Sequence, residues 1–263
     1  MKIGFIGSGN MAKALMKGIL DKNVCSKDDL ISSDIFPEAL ERIKNDFRIR
    51  VTEDNNEVIQ NSEIIFLAVK PQVMNKVLEE FENYNDKTFI SIAAGIQIKK
   101  IEEVLKNTKI VRVMPNTPCL VGEMAAGYTC NDKLNEEDKK NVKKILESSG
   151  IAFEMEESKL DAVTGLSGSG PAFVARLIES FTEAGVKNGL EKDVAYALSL
   201  KTFLGTAKLL EEMKLEPAEL VKMVSSPNGT TVAGREVLES SDYKEIIEKT
   251  ISRAKERSEE LGK

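Results

Sequence analysis

The chain has 263 residues, of which 41% are hydrophobic, 30% charged and 5% aromatic, with no Trp. That is enough apolar material for one large or two modest globular domains, and it excludes a disordered chain or a disulfide-stapled miniature. Lys and Arg number 37 against 43 Asp and Glu, a net charge of −6, so no partnership with nucleic acid is expected.

In chain order, Lys2–Ile6 (KIGFI) predicts a strand stopped by Gly7, and Ala12, Leu15, Met16, Ile19 and Leu20 then recur at helical spacing. Leu30–Ser33 reads as a strand, Glu38–Asn45 and Asn55–Gln60 as helices, Glu63–Val69 as a buried strand and Gln72–Phe81 as a helix. Strands at Thr88–Ala94 and Lys109–Met114 bracket a helix at Lys99–Leu105. Tyr128 falls in a further strand, before a helix over Asn135–Glu147 and a strand over Ile151–Glu154. Short β-branched runs alternating with helices predict parallel strands whose crossover helices cover both faces.

From Leu160 onward no strand is expected. Pro171–Lys187 is apolar almost all round, which predicts a central buried helix. Helices follow at Asp193–Met213, Glu216–Val224, from about Thr230, and at Tyr243–Leu261. The expected organisation is an α/β Rossmann-type dinucleotide-binding domain over residues 1–157 and an all-α domain over 158–263. The apolar surplus of the Pro171–Met213 helices exceeds what one small domain buries, which predicts dimerisation.

Histidine is absent altogether. Its absence removes every mechanism that needs an imidazole base, among them Ser-His-Asp and Cys-His catalysis and His-ligated zinc hydrolysis. Cys25, Cys119 and Cys130 form no C-x-x-C pair. With no apolar leader ahead of the first strand and no run near the ~20 residues of a bilayer span, they read as reduced thiols in a cytoplasmic protein. No metal site and no membrane contact are expected, and Cys119 has no partner base that would make it a nucleophile.

Gly7-Ser8-Gly9-Asn10-Met11-Ala12 lies between the first strand and the first helix and fits G-x-G-x-x-A, the dinucleotide fingerprint. Gly7 permits the tight turn, Gly9 lets a pyrophosphate approach the backbone, and Ala12 lets helix and strand pack closely. The free N–H groups of the helix's first turn then meet the negative charge. About 20 residues on, Ser32-Ser33-Asp34 ends the second strand. Asp34 there accepts from an adenosine ribose and repels a 2′-phosphate, favouring NAD. The serines could instead donate to that phosphate, and Asp34 could simply cap the turn. Three more strand ends carry small or proline-interrupted sequences: Ala68-Val69-Lys70-Pro71, Ala93-Ala94-Gly95 and Met114-Pro115-Asn116-Thr117-Pro118. Ligands of open α/β sheets bind outside the carboxyl ends of the strands. The expected cofactor set is Gly7, Gly9, Asn10, Met11 and Ala12 with Ser33, Asp34, Asn55, Ala68–Pro71, Ala93–Gly95 and Asn116.

The stretches GFIGSGNMAKAL, EIIFLAVKPQ, RVMPNTPCLVGEM, DAVTGLSGSGPAFV and VSSPNGTTVAGREVLE resemble pyrroline-5-carboxylate reductases along essentially the whole chain. The last two are the most specific, because they lie outside the generic nucleotide fold. Taken on residues alone, Ser167–Pro171 fits an ordinary helix start as well as it fits a close approach by a ligand. Ser225–Thr231, again ahead of a helix, offers backbone N–H groups and hydroxyls to an anion, although a capped surface helix has the same pattern. The resemblance implies that Ser226 and the main chain around Gly229 and Thr230 grip a substrate carboxylate while Thr231, the catalytic candidate, hydrogen-bonds the ring nitrogen. The family usually has glycine where Asn228 stands, and Asn tolerates positive φ.

The activity so implied is hydride transfer from NADPH or NADH to 1-pyrroline-5-carboxylate, giving L-proline in the last step of proline synthesis. A substrate that binds already protonated needs orientation more than a strong acid, which suits a chain without histidine. A β-hydroxyacid dehydrogenase needs a base, and Val174 stands where such enzymes carry lysine. A related imine reductase and a non-catalytic NAD(P) sensor are also compatible with these residues, because fold does not dictate function. The resemblance further implies a homodimer with interlocked helices, the substrate loop facing the partner's cofactor, and a ring of dimers as the larger assembly.

Overall fold

The structure is a computed structural model and describes residues 1–262. The first strand, β1 (Ile3–Ile6), runs into the glycine turn and α1 (Asn10–Asp21). Ala12, Leu15, Met16 and Ile19 put one face of α1 into the core, as their spacing predicts. Next come β2 (Leu30–Ser33), α2 (Pro37–Phe47), β3 (Arg50–Thr52), α3 (Asn55–Gln60) and β4 (Ile64–Leu67). After β4 the chain forms α4 (Met74–Glu79), β5 (Thr88–Ser91), α5 (Ile98–Val104) and β6 (Lys109–Met114). The sheet ends with β7 (Met124–Cys130), α6 (Glu136–Glu147) and β8 (Gly150–Glu154).

The eight strands form one sheet in the order β3-β2-β1-β4-β5-β6-β7-β8. Strands β1, β2, β4 and β5 are buried along their whole length, and two apolar clusters occupy the two faces. Phe5 of β1 and its partner Phe66 of β4 stack with ring centroids 4.6 Å apart. Chain order reverses between β1 and β4, the crevice where doubly wound sheets take their ligands.

Two features of the sheet differ from the sequence expectation. Strand β7 pairs antiparallel with β6. The nine residues between Met114 and Met124 are too few for a parallel crossover, which needs a dozen or more. Strand β3 has no counterpart in the expected elements; its three residues carry too little pattern to read.

Beyond β8 the chain is helical: α7 (Leu160–Val163), a wide turn at Thr164–Gly168, α8 (Gly170–Lys187), α9 (Lys192–Met213), α10 (Pro217–Met223), α11 (Thr230–Glu239) and α12 (Tyr243–Gly262). Packing divides the protein into two units, Met1–Ser169 with the chain from Ile251, and Gly170–Thr250. The strands end close to the boundary read at 157, but the first unit continues through α7 and the wide turn and includes the last turns of α12. The Ser258 hydroxyl donates to Asp161 at 2.6 Å, and a Cβ on Gly165 would lie 2.7 Å from the Ile251 carbonyl oxygen, so only glycine lets these backbones meet.

Within the second unit α8 packs on α9, with Phe181 and Phe203 edge to face at 5.1 Å. The expectation that α8 is a buried helix does not hold for the single chain. Of its side chains only that of Thr182 is buried, while Val174, Leu177 and Phe181 are 45%, 44% and 56% exposed. This apolar surface awaits a cover that the single chain does not provide.

Candidate active site

The glycine-rich turn is built from three strand ends. The Gly7 N–H donates to the Ser33 carbonyl at 2.8 Å, and the Ala68 N–H donates to the Ile6 carbonyl at 2.8 Å. Gly7 has φ +101°, and a Cβ there would lie 2.5 Å from the Ala68 carbonyl oxygen, so both conformation and space require glycine. Above Gly9 a Cβ would meet nothing within 4 Å. Helix α1 starts there with no side-chain cap and no acidic residue in its first turn. An uncapped helix start under open space leaves its N–H groups and partial positive charge to an outside anion. The turn therefore fits a dinucleotide pyrophosphate over Gly9, Asn10 and Met11, with Ala12 buried beneath.

Asp34 is held firmly. Its Oδ2 accepts the Ser8 N–H at 2.7 Å and its Oδ1 accepts the Phe36 N–H at 3.0 Å. The two serines before it face inward, both 0% exposed. The Ser33 hydroxyl donates to Asn55 Oδ1 at 2.7 Å, and the Ser32 hydroxyl pairs with that of Ser8 at 2.9 Å. Ser33 and Asn55 thus brace each other across β2 and the start of α3.

Ala68, Val69, Lys70 and Pro71 follow β4 on the same rim, where Pro71 opens a short 3-10 turn. Ala93 is buried and Ala94 exposed beyond β5. Gly95, at φ +76°, lies against the end of α12, where a Cβ would be 3.4 Å from the Leu261 carbonyl oxygen. That neighbour gives no signal in the sequence, because 166 positions separate the two. Asn116 follows β6 but is buried and engaged on both sides. Its Nδ2 donates to the Ser167 carbonyl at 3.1 Å, and its Oδ1 accepts the Ala125 N–H at 2.9 Å.

Ser167 belongs to the wide turn before α8, in which the Ser169 N–H reaches back five residues to the Thr164 carbonyl at 2.8 Å. Such single wide turns concentrate at functional positions. Here the turn lets Gly168 sit against Met114, whose Cε would be 2.6 Å from an added Cβ. Gly165 and Gly168 are thus explained by packing inside the first unit, whereas a Cβ on Gly170 would meet nothing within 4 Å.

The second candidate loop lies in the other unit, between α10 and α11. Asn228 takes φ +59°, which asparagine tolerates. The Gly229 N–H donates to the Ser226 carbonyl at 2.9 Å, and a Cβ on Gly229 would fall 2.5 Å from Ser226 Oγ. The loop folds so tightly that only glycine fits where α11 begins. Helix α11 has neither a capping side chain nor an acidic residue in its first turn, so the N–H groups at Thr230 and Thr231 and their hydroxyls form a second anion-receptive start. Arg235 carries no signal of its own in the sequence. Its Nη1 donates to Ser225 Oγ at 3.4 Å and its Nε lies 3.1 Å from Glu239, so it ties the loop to α11.

Residues 157–261 match the family model for pyrroline-5-carboxylate reductase dimerisation, and residues 2–95 match that for NADP oxidoreductase, coenzyme F420-dependent. A curated pyrroline-5-carboxylate reductase of Methanosarcina acetivorans is 40% identical over 265 residues, covering 100% of this chain and 98% of that one. The chain belongs to the pyrroline-5-carboxylate reductase family. Two solved family members match its fold end to end. That of Coxiella burnetii superposes with a TM-score of 0.95 at 31% identity, covering 100% and 98% of the two chains. That of Plasmodium falciparum, solved with NADP bound, has a TM-score of 0.86 at 36% identity with the same coverage. The family match unites both loops in one chain architecture, a Rossmann-type unit followed by helices of the dimerisation type.

Proposed function

We infer that this chain reduces 1-pyrroline-5-carboxylate to L-proline, the last step of proline synthesis, with NADPH or NADH as donor. The observation that carries the reading is the full-length 40% identity to a curated reductase, spanning both the glycine-rich turn and the Ser225–Thr231 loop. The bound dinucleotide supplies the hydride from its reduced nicotinamide ring. The protein's part is to hold and orient.

The N–H groups at Gly9, Asn10 and Met11 hold the pyrophosphate, and Asp34, fixed by the Ser8 and Phe36 amides beside the Ser33–Asn55 pair, holds the adenosine ribose. Ala68–Pro71 and Ala93–Gly95 line the rim, where the alanines let a flat ring lie close to the backbone. Asn116 contributes by fixing the β6–β7 link, its side-chain amide being engaged by Ser167 and Ala125. On the other unit, Ser226 and the N–H groups around Gly229 and Thr230 hold the substrate carboxylate. The Thr231 hydroxyl accepts from the protonated ring nitrogen and fixes the plane of the ring. Reduction of a C=N–H⁺ group by hydride leaves a neutral amine that takes a proton from water, so no histidine is needed.

The active form is a homodimer, in keeping with the dimerisation-type helices and the bare face of α8, and the loop of one subunit serves the cofactor of the other. A ring of such dimers is the larger assembly, and the enzyme works in the cytoplasm. Among the described residues no helix is long and apolar enough to cross a membrane.

Thr231→Ala removes a hydrogen bond to a charged group. It should lower kcat/KM for pyrroline-5-carboxylate roughly 10- to 100-fold while leaving cofactor binding intact. Unchanged kcat/KM would remove Thr231 from the mechanism.

A further inference from the structure

The turn after β2 bears on which reduced dinucleotide this chain takes. The Asp34 carboxylate is fixed by one backbone N–H on each oxygen, Ser8 at 2.7 Å and Phe36 at 3.0 Å. A carboxylate has about four acceptor sites, so each oxygen keeps one for a further donor. Because one of the two amides belongs to the glycine-rich turn, Asp34 is rigidly referenced to the place where the pyrophosphate is held.

Little around Asp34 suits a phosphate. From Ser32 to Glu41 the chain carries three carboxylates, Asp34, Glu38 and Glu41, and no Lys or Arg. The first cation beyond, Arg42, donates its Nε to the Glu38 carbonyl at 3.3 Å. The hydroxyls of Ser32 and Ser33 are buried and already paired, so neither reaches outward. The Phe36 N–H is taken by Asp34, and Pro37, the first residue of α2, has none. The outward side chains next to Asp34 are apolar, Ile35 and Phe36 being 79% and 65% exposed, a surface for the flat face of a purine, and Glu38 places a carboxylate in the first turn of α2.

We propose that Asp34, locked between the Ser8 and Phe36 amides in a cation-free acidic segment, makes the site selective for NADH over NADPH. The vicinal hydroxyls of an unphosphorylated ribose donate to the two free acceptor sites. A 2′-phosphate brings a second anion against the carboxylate and finds no cation or free hydroxyl in Ser32–Glu41 to offset it. The selectivity belongs to this chain's own segment, since a relative with the same fold was solved with NADP bound. The proposal rests on the dinucleotide site of the reductase reading.

Equilibrium titration of the wild-type protein with NADH and with NADPH, followed by nicotinamide fluorescence without substrate, tests it. Turnover of pyrroline-5-carboxylate with each donor is measured alongside. NADH should bind at least about tenfold more tightly and give a correspondingly higher kcat/KM. Asp34→Asn keeps an oxygen for a backbone amide and removes the charge, so it should narrow the gap chiefly by tightening NADPH. Equal or tighter NADPH binding by the wild type overturns the proposal, as does an unchanged ratio in Asp34→Asn. If both donors bind but neither is consumed, the reductase reading fails while the binding ratio still judges Asp34. If neither binds, both fall.

Discussion

Burial, more than any neighbouring charge, governs the thiols and one phenol of the first unit. Desolvation pushes Cys130 up to about 12, with Glu154 adding repulsion and Lys139 opposing it. Burial likewise carries Cys25 to about 11 and Tyr128 to about 12, and it raises Cys119 as well. These groups stay protonated in the folded protein at pH values where the unfolded chain releases its protons. Between the ordinary thiol value near 9 and about 12, the folded state therefore binds more protons, and stability falls as pH rises. The melting temperature should decline across that window, and Cys130→Ala should make the decline shallower, by at most about 1.4 kcal/mol per pH unit for one proton. An alkaline slope identical in Cys130→Ala would show that this thiol titrates normally in the native state. The identity of a candidate residue is legible in a sequence, whereas its partners are not. Asp34 stands out by its place after a strand, but the Ser8 amide that holds it lies 26 positions away. Whether the adjacent serines look outward or inward depends on the sheet register, and here both are buried.

Elements carry a different kind of information. The period of apolar residues locates all but one of the strands and the long helices, because a 2.0 or 3.6 repeat is a property of the chain itself. Strand direction is not. The apolar run of β7 reads the same in either orientation, and only the nine-residue link before it restricts the pairing. The wide turn at Thr164–Gly168 is hidden for a similar reason, since its glycines answer to Met114 and to the backbone of α12 rather than to local propensity. Helix α8 reads as buried because it is apolar on most sides. In the single chain Val174, Leu177 and Phe181 stay exposed, and the proposed dimer would cover them. Sedimentation should show the wild type as a dimer. Leu177→Glu, which would bury a charge in that face, should give a monomer with most of its turnover lost. A wild-type monomer of full activity would contradict the role given to α8.

At the scale of the molecule, the two anion-receptive helix starts define the division of labour. One, at Gly9–Met11, belongs to a doubly wound sheet with the strand order of dinucleotide-binding folds. The other, at Thr230–Thr231, belongs to the helical unit, whose sequence matches the dimerisation model of the reductase family. A sheet with a glycine turn alone would serve a sensor as well as an enzyme, and in the proposed function the second loop takes the small carboxylate substrate. The most direct measurement follows the hydride itself. Reduced nicotinamide dinucleotide with both C4 hydrogens replaced by deuterium is mixed with the protein and pyrroline-5-carboxylate, and the proline formed is analysed by mass spectrometry and NMR. One deuterium per molecule, on the ring carbon that was double-bonded to nitrogen, is the predicted result; cofactor binding without labelled proline would contradict the assignment.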